Sequence, residues 1–136
     1  MFDHQSKRGE WQLSLASVRG KAHVDHNLPN QDSVSVYSNN SGDVICAVVS
    51  DGAGTASRSG EGSKVSAQCI AERMCQIGNQ LVNGQDVLNT IRFEFEASIN
   101  LVRQKIDPSG NHLRDFHCTM VAWLFTPIGA FIAQIG

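Results

Sequence analysis

Two short segments of this chain carry the residues best suited to chemistry. In Val48-Val49-Ser50-Asp51-Gly52-Ala53-Gly54 a carboxylate follows an apolar run and precedes two closely spaced glycines. Small residues let main-chain carbonyls approach whatever the carboxylate holds, and a hard divalent cation takes oxygen donors of this mixed kind. The second segment, Asn30-Gln31-Asp32, places another carboxylate directly before a short alternating stretch, Ser33 to Tyr37. Each has an ordinary reading too: Asp-Gly is a common turn pair, Asp51 suits the cap of a following helix, and Asp32 suits a solvated loop.

The elements that must position these residues make the pair informative. Ser33 to Tyr37 alternates through Val34 and Val36, and Val44 to Val49 is a continuous apolar run too short for a typical helix, which predicts a central strand buried on both faces. Between them lies Asn39-Asn40-Ser41-Gly42-Asp43, with the Asn and Gly that a tight hairpin turn requires. In that hairpin Asp32 heads the first strand and Asp51 ends the second. Both carboxylates are therefore expected at one sheet edge, where two acids invite a shared metal ion.

Upstream, Trp11 to Val18 alternates and reads as a strand, followed by a polar loop from Lys21 to Gln31. Downstream of Asp51, a loop of glycines and hydroxyl residues runs from Ala53 to Gly60. A helix is predicted to start near Ser59 to Gly62, with Glu61 in the first turn where the helix dipole favours an anion. Leu88, Ile91, Phe95, Ile99, Val102 and Ile106 recur at steps of three and four and predict a second helix, stopped by Asp107-Pro108. After a polar loop, Ser109 to Asp115, two strands follow, His117 to Phe125 and Ala130 to Ile135, joined by Thr126-Pro127-Ile128-Gly129. The order is three strands, two helices and two strands, an α+β layer with helices laid on an antiparallel sheet. The chain closes on Gln134-Ile135-Gly136 with no polar tail, which predicts a boundary within a larger fold.

Composition limits the function classes. A length of 136 residues, 41% apolar and 18% charged, suits one globular domain. A net charge of -2 leaves no basic field for a polyanion, so neither nucleic acid nor an anionic membrane is an expected partner. Cys46, Cys69, Cys75 and Cys118 lack the short paired spacings of zinc or redox sites and read as small core residues. With no apolar leader and no long apolar span, the expected location is the cytoplasm. Gly52 to Lys64 lacks the Gly-Lys-Ser/Thr ending of a nucleotide-binding loop.

Taken together, Gly20-Lys21-Ala22-His23, Leu28-Pro29-Asn30-Gln31-Asp32, Val49-Ser50-Asp51-Gly52-Ala53-Gly54 and Cys118-Thr119-Met120-Val121-Ala122 resemble the metal-dependent protein phosphatase family, the protein phosphatase 2C-like group, and most closely its bacterial branch. The resemblance runs from Trp11 to Gly136 in the family's order. It implies a β-sandwich flanked by antiparallel helix pairs, of which residues 1–136 form the first half, a single partial domain truncated at its C-terminus. It also implies two Mn²⁺ or Mg²⁺ ions, a metal-bridging water that attacks phosphoserine or phosphothreonine, and a phosphoprotein substrate. Asp51 matches the carboxylate shared by both ions, Gly52 a main-chain donor, Asp32 a second acid nearer the outer shell, and Thr119 a core threonine.

There are departures from the family pattern. Gln31 stands in place of the usual Glu, Asn27 in place of a phosphate-binding Arg, and Ala53 in place of a His. His23 and His26 are the candidates to supply a proton or hold phosphate instead, since imidazole titrates near neutrality, and Arg58 is a candidate phosphate contact. His23, Asp32 and Asp51 are thus the catalytic candidates, and Asp32, Asp51 and Gly52 the metal candidates. The family's later metal-ligand aspartates are not in this sequence, so the fragment by itself is expected to be inactive. The alternative reading is a non-catalytic phosphatase-like module that binds a protein or phosphopeptide. A half-sandwich would expose apolar sheet surface, which predicts self-association.

Overall fold

The computed structural model describes residues 2–5, 12–84 and 86–136. Strands β3 (Ser33–Ser38), β4 (Ile45–Gly52), β5 (Cys118–Thr126) and β6 (Gly129–Ile135) form one antiparallel sheet in the order β3-β4-β5-β6. The apolar run at β4 is central, as its composition requires, and Val44 through Val48 are buried. Helices α2 (Ser59–Gly78) and α3 (Val87–Ile106) form the second layer. Ile70, Met74 and Phe95 pack there with Cys46 and Val48 of β4 and with Met120, Ala122 and Leu124 of β5. The alternate residues of the same strands point the other way. Val49 and Ile132 are exposed, and Val121, Trp123 and Phe125 only half-buried, so the helices cover one sheet face only.

Helix α2 opens on small residues for a steric reason. Ser59, Gly62, Ser63, Ser66 and Ala67 are all buried, which brings the helix backbone close to the sheet end and to a 3-10 turn at Leu113–Phe116. A Cβ at Gly62 would collide with the Phe116 carbonyl oxygen. Helix α3 is capped by Asp86, whose carboxylate accepts from Asn89 N at 3.3 Å and also from the Asn89 side chain. Asp86→Ala should lower stability by about 0.5–2 kcal/mol, the usual worth of such a cap, as read by urea denaturation. The far end stops at Asp107 before Pro108, as expected from the ring's incompatibility with a continuing helix. The Asp107 carboxylate there accepts from Ser109 Oγ at 2.6 Å and His112 N at 2.6 Å, and these bonds hold its pKa below the ordinary aspartate value.

Several local expectations are corrected. Lys21–Asp25, read as part of a polar loop, forms a short helix, α1, which buries no residue and so leaves no apolar period to detect. Phe2–Gln5 forms a strand, β1, paired antiparallel with β2 (Gln12–Leu15) in a separate two-stranded sheet. The Trp11–Val18 strand is accordingly shorter, and Trp11 lies outside the described residues. Part of the Ser109–Asp115 loop winds into the 3-10 turn that buries Phe116. Cys69 and Cys118 are half-buried rather than core residues, and Thr119 is exposed, because its parity places it on the uncovered sheet face. Among the described residues no helix is long and apolar enough to cross a membrane.

Candidate functional site

The β3–β4 ladder pairs Ser33 with Ser50, so Asp32 and Asp51 are the next positions at the same end of the sheet. Their carboxyl groups are close enough for Asp51 to raise the pKa of Asp32. The loop that delivers Asp32 is fastened on several sides. Ser17 Oγ donates to the Asp32 carbonyl at 3.3 Å, Asn30 Nδ2 donates to Ser17 Oγ at 2.7 Å, and Asn30 Oδ1 accepts from Asp32 N at 3.3 Å. From the helix side, Ser63 Oγ donates to the Gln31 carbonyl at 2.5 Å and lies 3.2 Å from Ser33 Oγ. Asp51 is set by a strand bonded on both edges, with Thr119 of β5 directly across from it. Ser50 Oγ donates to the Thr119 carbonyl at 2.9 Å and ties that neighbour down.

Electrostatics in the pair are those of two like charges brought together. Asp32 is held above the usual aspartate pKa, first by partial removal from water, then by the hydrogen bond and charge of Asp51; the charge of His23 and the Gly52 N–H oppose the rise. Their donor set, two carboxylates with main-chain oxygen nearby, is that of a hard divalent cation. The residues present therefore fit Mn²⁺ or Mg²⁺. The sign of the pH effect follows. Because the folded-state pKa of Asp32 is raised, the folded form holds the proton longer than the unfolded chain. Stability in a chelating buffer should therefore fall as pH rises from 3.8 through the raised value, then level off. Melting curves across that range should show the decline, and Asp51→Asn should lessen it without abolishing it.

The other predicted residues are placed as follows. His23, on α1, is half-buried and acts on Asp32 through its charge, whereas His26, at the end of the same helix, is exposed. Gly52 is buried, and its N–H works to lower the Asp32 pKa; a Cβ there would lie 2.5 Å from the Gln31 carbonyl oxygen. Arg58 is already engaged. It makes two-pronged contact with Glu61, at 2.7 and 3.0 Å to one oxygen and 2.8 Å to the other, and stacks 4.3 Å from the centre of the Phe116 ring. Asn27 has a φ of 52°, a left-handed conformation in which Asn is well tolerated, so this position serves the turn after α1. Ala53 N donates to the His117 carbonyl at 2.9 Å, joining the loop after Asp51 to the start of β5.

Sequence reading did not identify Ser17, Asn30 and Ser63 as the anchors of the acidic loop. Isolated hydroxyls and amides carry no periodic signal, and only the pairing of loop with helix reveals them. Among the described residues no group of three or more His, Cys, Asp or Glu side chains forms a metal cage, so the acid pair is a partial donor set.

Comparison with known proteins places this arrangement. The chain is 29% identical to serine/threonine-protein phosphatase 3 of Escherichia coli strain K12, over 93% of its own length and 51% of that protein. It thus spans about half the length of the curated relative it matches. No solved structure matches it. The family model for protein phosphatase 2C matches residues 19–136, a stretch that takes in α1, the acidic loop, the four-stranded sheet and both long helices. The chain therefore belongs to the protein phosphatase 2C family.

Proposed function

We propose that this chain is the N-terminal portion of a metal-dependent serine/threonine protein phosphatase that hydrolyses phosphoserine and phosphothreonine in protein substrates. Asp32, Asp51 and the main-chain carbonyl of Gly52 are its donors toward Mn²⁺ or Mg²⁺. The observation that carries this reading is the Asp32–Asp51 pair brought to one end of the sheet, in a chain of this family. When bound, such ions supply an acidified water and neutralise phosphate charge, so that no protein nucleophile is required. The chain's own residues do the rest. Asp51 fixes the donor oxygens on a rigid strand, Asp32 closes the site from the anchored loop, and His23 stands on the Asp32 side as the proton partner. His26 and Arg58 are the candidate phosphate contacts, Arg58 only after releasing Glu61.

The test is a thermal shift with Mn²⁺ on this chain. A cation that binds only the folded form adds about 2.7 kcal/mol at a hundredfold excess over Kd, so the melting point should climb with the logarithm of the Mn²⁺ concentration above Kd. Asp51→Asn should remove the climb. An unchanged melting point at millimolar Mn²⁺ would overturn the site. Calorimetry then separates the alternative, a phosphopeptide-binding module, which would hold its ligand equally well in chelator. The substitutions Gln31, Asn27 and Ala53 are what favour that second reading.

A further inference from the structure

The four cysteines are not equivalent. Cys46 and Cys75 are buried, and burial pushes their thiols up to about 12 and about 11, where they are inert. Cys118 is half-buried and donates to Ser66 Oγ at 3.6 Å. Cys69 lies on the α2 flank that meets α3, half-buried, and Lys105 in the last turn of α3 reaches across until its Nζ is 3.3 Å from Cys69 Sγ. Beside them is a groove of about 220 Å³ between the two helices, lined by Glu72, Arg73, Gln76 and Leu101, wide enough to admit a small oxidant to the sulfur. Arg73 also approaches Glu94 of α3 to 3.6 Å, a second link that keeps the helices aligned at this level. A nucleophilic sulfur and a primary amine from different helices, near contact distance and open to solvent, form a reactive pair with no part in the acidic site.

We propose that Cys69 and Lys105 form a peroxide-dependent covalent latch between α2 and α3. Hydrogen peroxide is the oxidant. Its O–O bond breaks as an S–O bond forms on Cys69, water leaves, and the sulfur is oxidised to a sulfenic acid while the peroxide is reduced. Lys105, having given one proton to solvent, attacks that sulfur through its free amine. An S–N bond forms, the S–O bond breaks, and the hydroxyl departs with an amine proton as a second water. The net change is the loss of two hydrogens from the protein for one peroxide consumed. A thiol reductant reverses it by attacking the sulfur and freeing the amine. The latch closes a long loop of chain, which restricts the unfolded state and raises resistance to denaturant.

The experiment treats the chain with stoichiometric hydrogen peroxide and maps its peptides by mass spectrometry without reductant. The expected result is a cross-linked pair holding Cys69 and Lys105, lighter than the sum of its parts by two hydrogens and lost on adding dithiothreitol. The urea midpoint of the treated chain should rise. Lys105→Arg keeps the charge and removes the reactive amine, so both the cross-link and the rise should vanish, with circular dichroism showing the variant folded. Oxidation of Cys69 to the sulfinic acid with no cross-link, an intermolecular Cys69 disulfide, or equal cross-linking in Lys105→Arg would overturn the proposal.

Discussion

If the proposed phosphatase function holds, asparagine at position 51 is expected to reduce kcat/KM for a phosphothreonine peptide by about a thousandfold or more. Metal assistance is worth several kcal/mol to a charged transition state, and each ~1.4 kcal/mol is a factor of ten in rate. Asp51 is held in β4 opposite Thr119 of β5, whereas Asp32, the other acid of the pair, stands on a loop fastened by side-chain hydrogen bonds and already has its own place in the donor set. The same substitution removes one of two mutually repelling charges, so the metal-free protein should melt no lower than the parent, and higher at neutral pH. That combination distinguishes loss of chemistry from loss of fold. Turnover by Asp51→Asn at the parental rate would remove the site from consideration.

Alanine at Gly62 or Gly52 is expected to be the most damaging single-methyl change in the chain. At Gly62 the new carbon meets the Phe116 carbonyl, and at Gly52 it lies 2.5 Å from the Gln31 carbonyl oxygen and 3.0 Å from the Ser59 backbone. These obstacles are main chain, which cannot rotate aside, so the cost should be at the upper end for overpacking, about 3 kcal/mol or more. The two variants should nevertheless differ. Gly62→Ala pushes the 3-10 turn away from α2 and should lower stability alone. Gly52→Ala drives the Gln31–Asp32 segment off β4, so it should also weaken Mn²⁺ binding when stability is restored with an osmolyte. Urea titrations and Mn²⁺ calorimetry on both variants check this; equal Mn²⁺ affinities would contradict it.

Much of this architecture was legible because it rests on period and punctuation. The β4 run, the heptad-like spacing from Leu88 to Ile106, the Asn-Gly hairpin and the Asp107-Pro108 stop each name an element, and the hairpin alone was enough to bring Asp32 and Asp51 to one edge. What escaped was whatever buries nothing. Helix α1 has no apolar face, and β1 is four residues whose pairing depends on a partner rather than on its own pattern. Thr119 was misplaced for a related reason: in a strand with one face uncovered, residue type does not reveal which parity is covered, and its register opposite Asp51 decides it. Arg58 illustrates the limit for charged side chains. Its position beside the acidic loop was clear from the sequence, but its engagement by Glu61 and Phe116 depends on how α2 meets the 3-10 turn.

Strand β4 has one further consequence. The stretch that anchors the interior, with Cys46 and Val48 fully enclosed, also carries at its end Asp51, the acid proposed to receive the ion. The apolar residues of β4 pack against the helices and take no part in the acid pair, so the proposed ion site sits on a strand held in place by its own packing. Ion exchange should therefore proceed without unfolding, with little entropy lost to ordering the chain, and a protein stripped of its ion should recover at once when the ion returns.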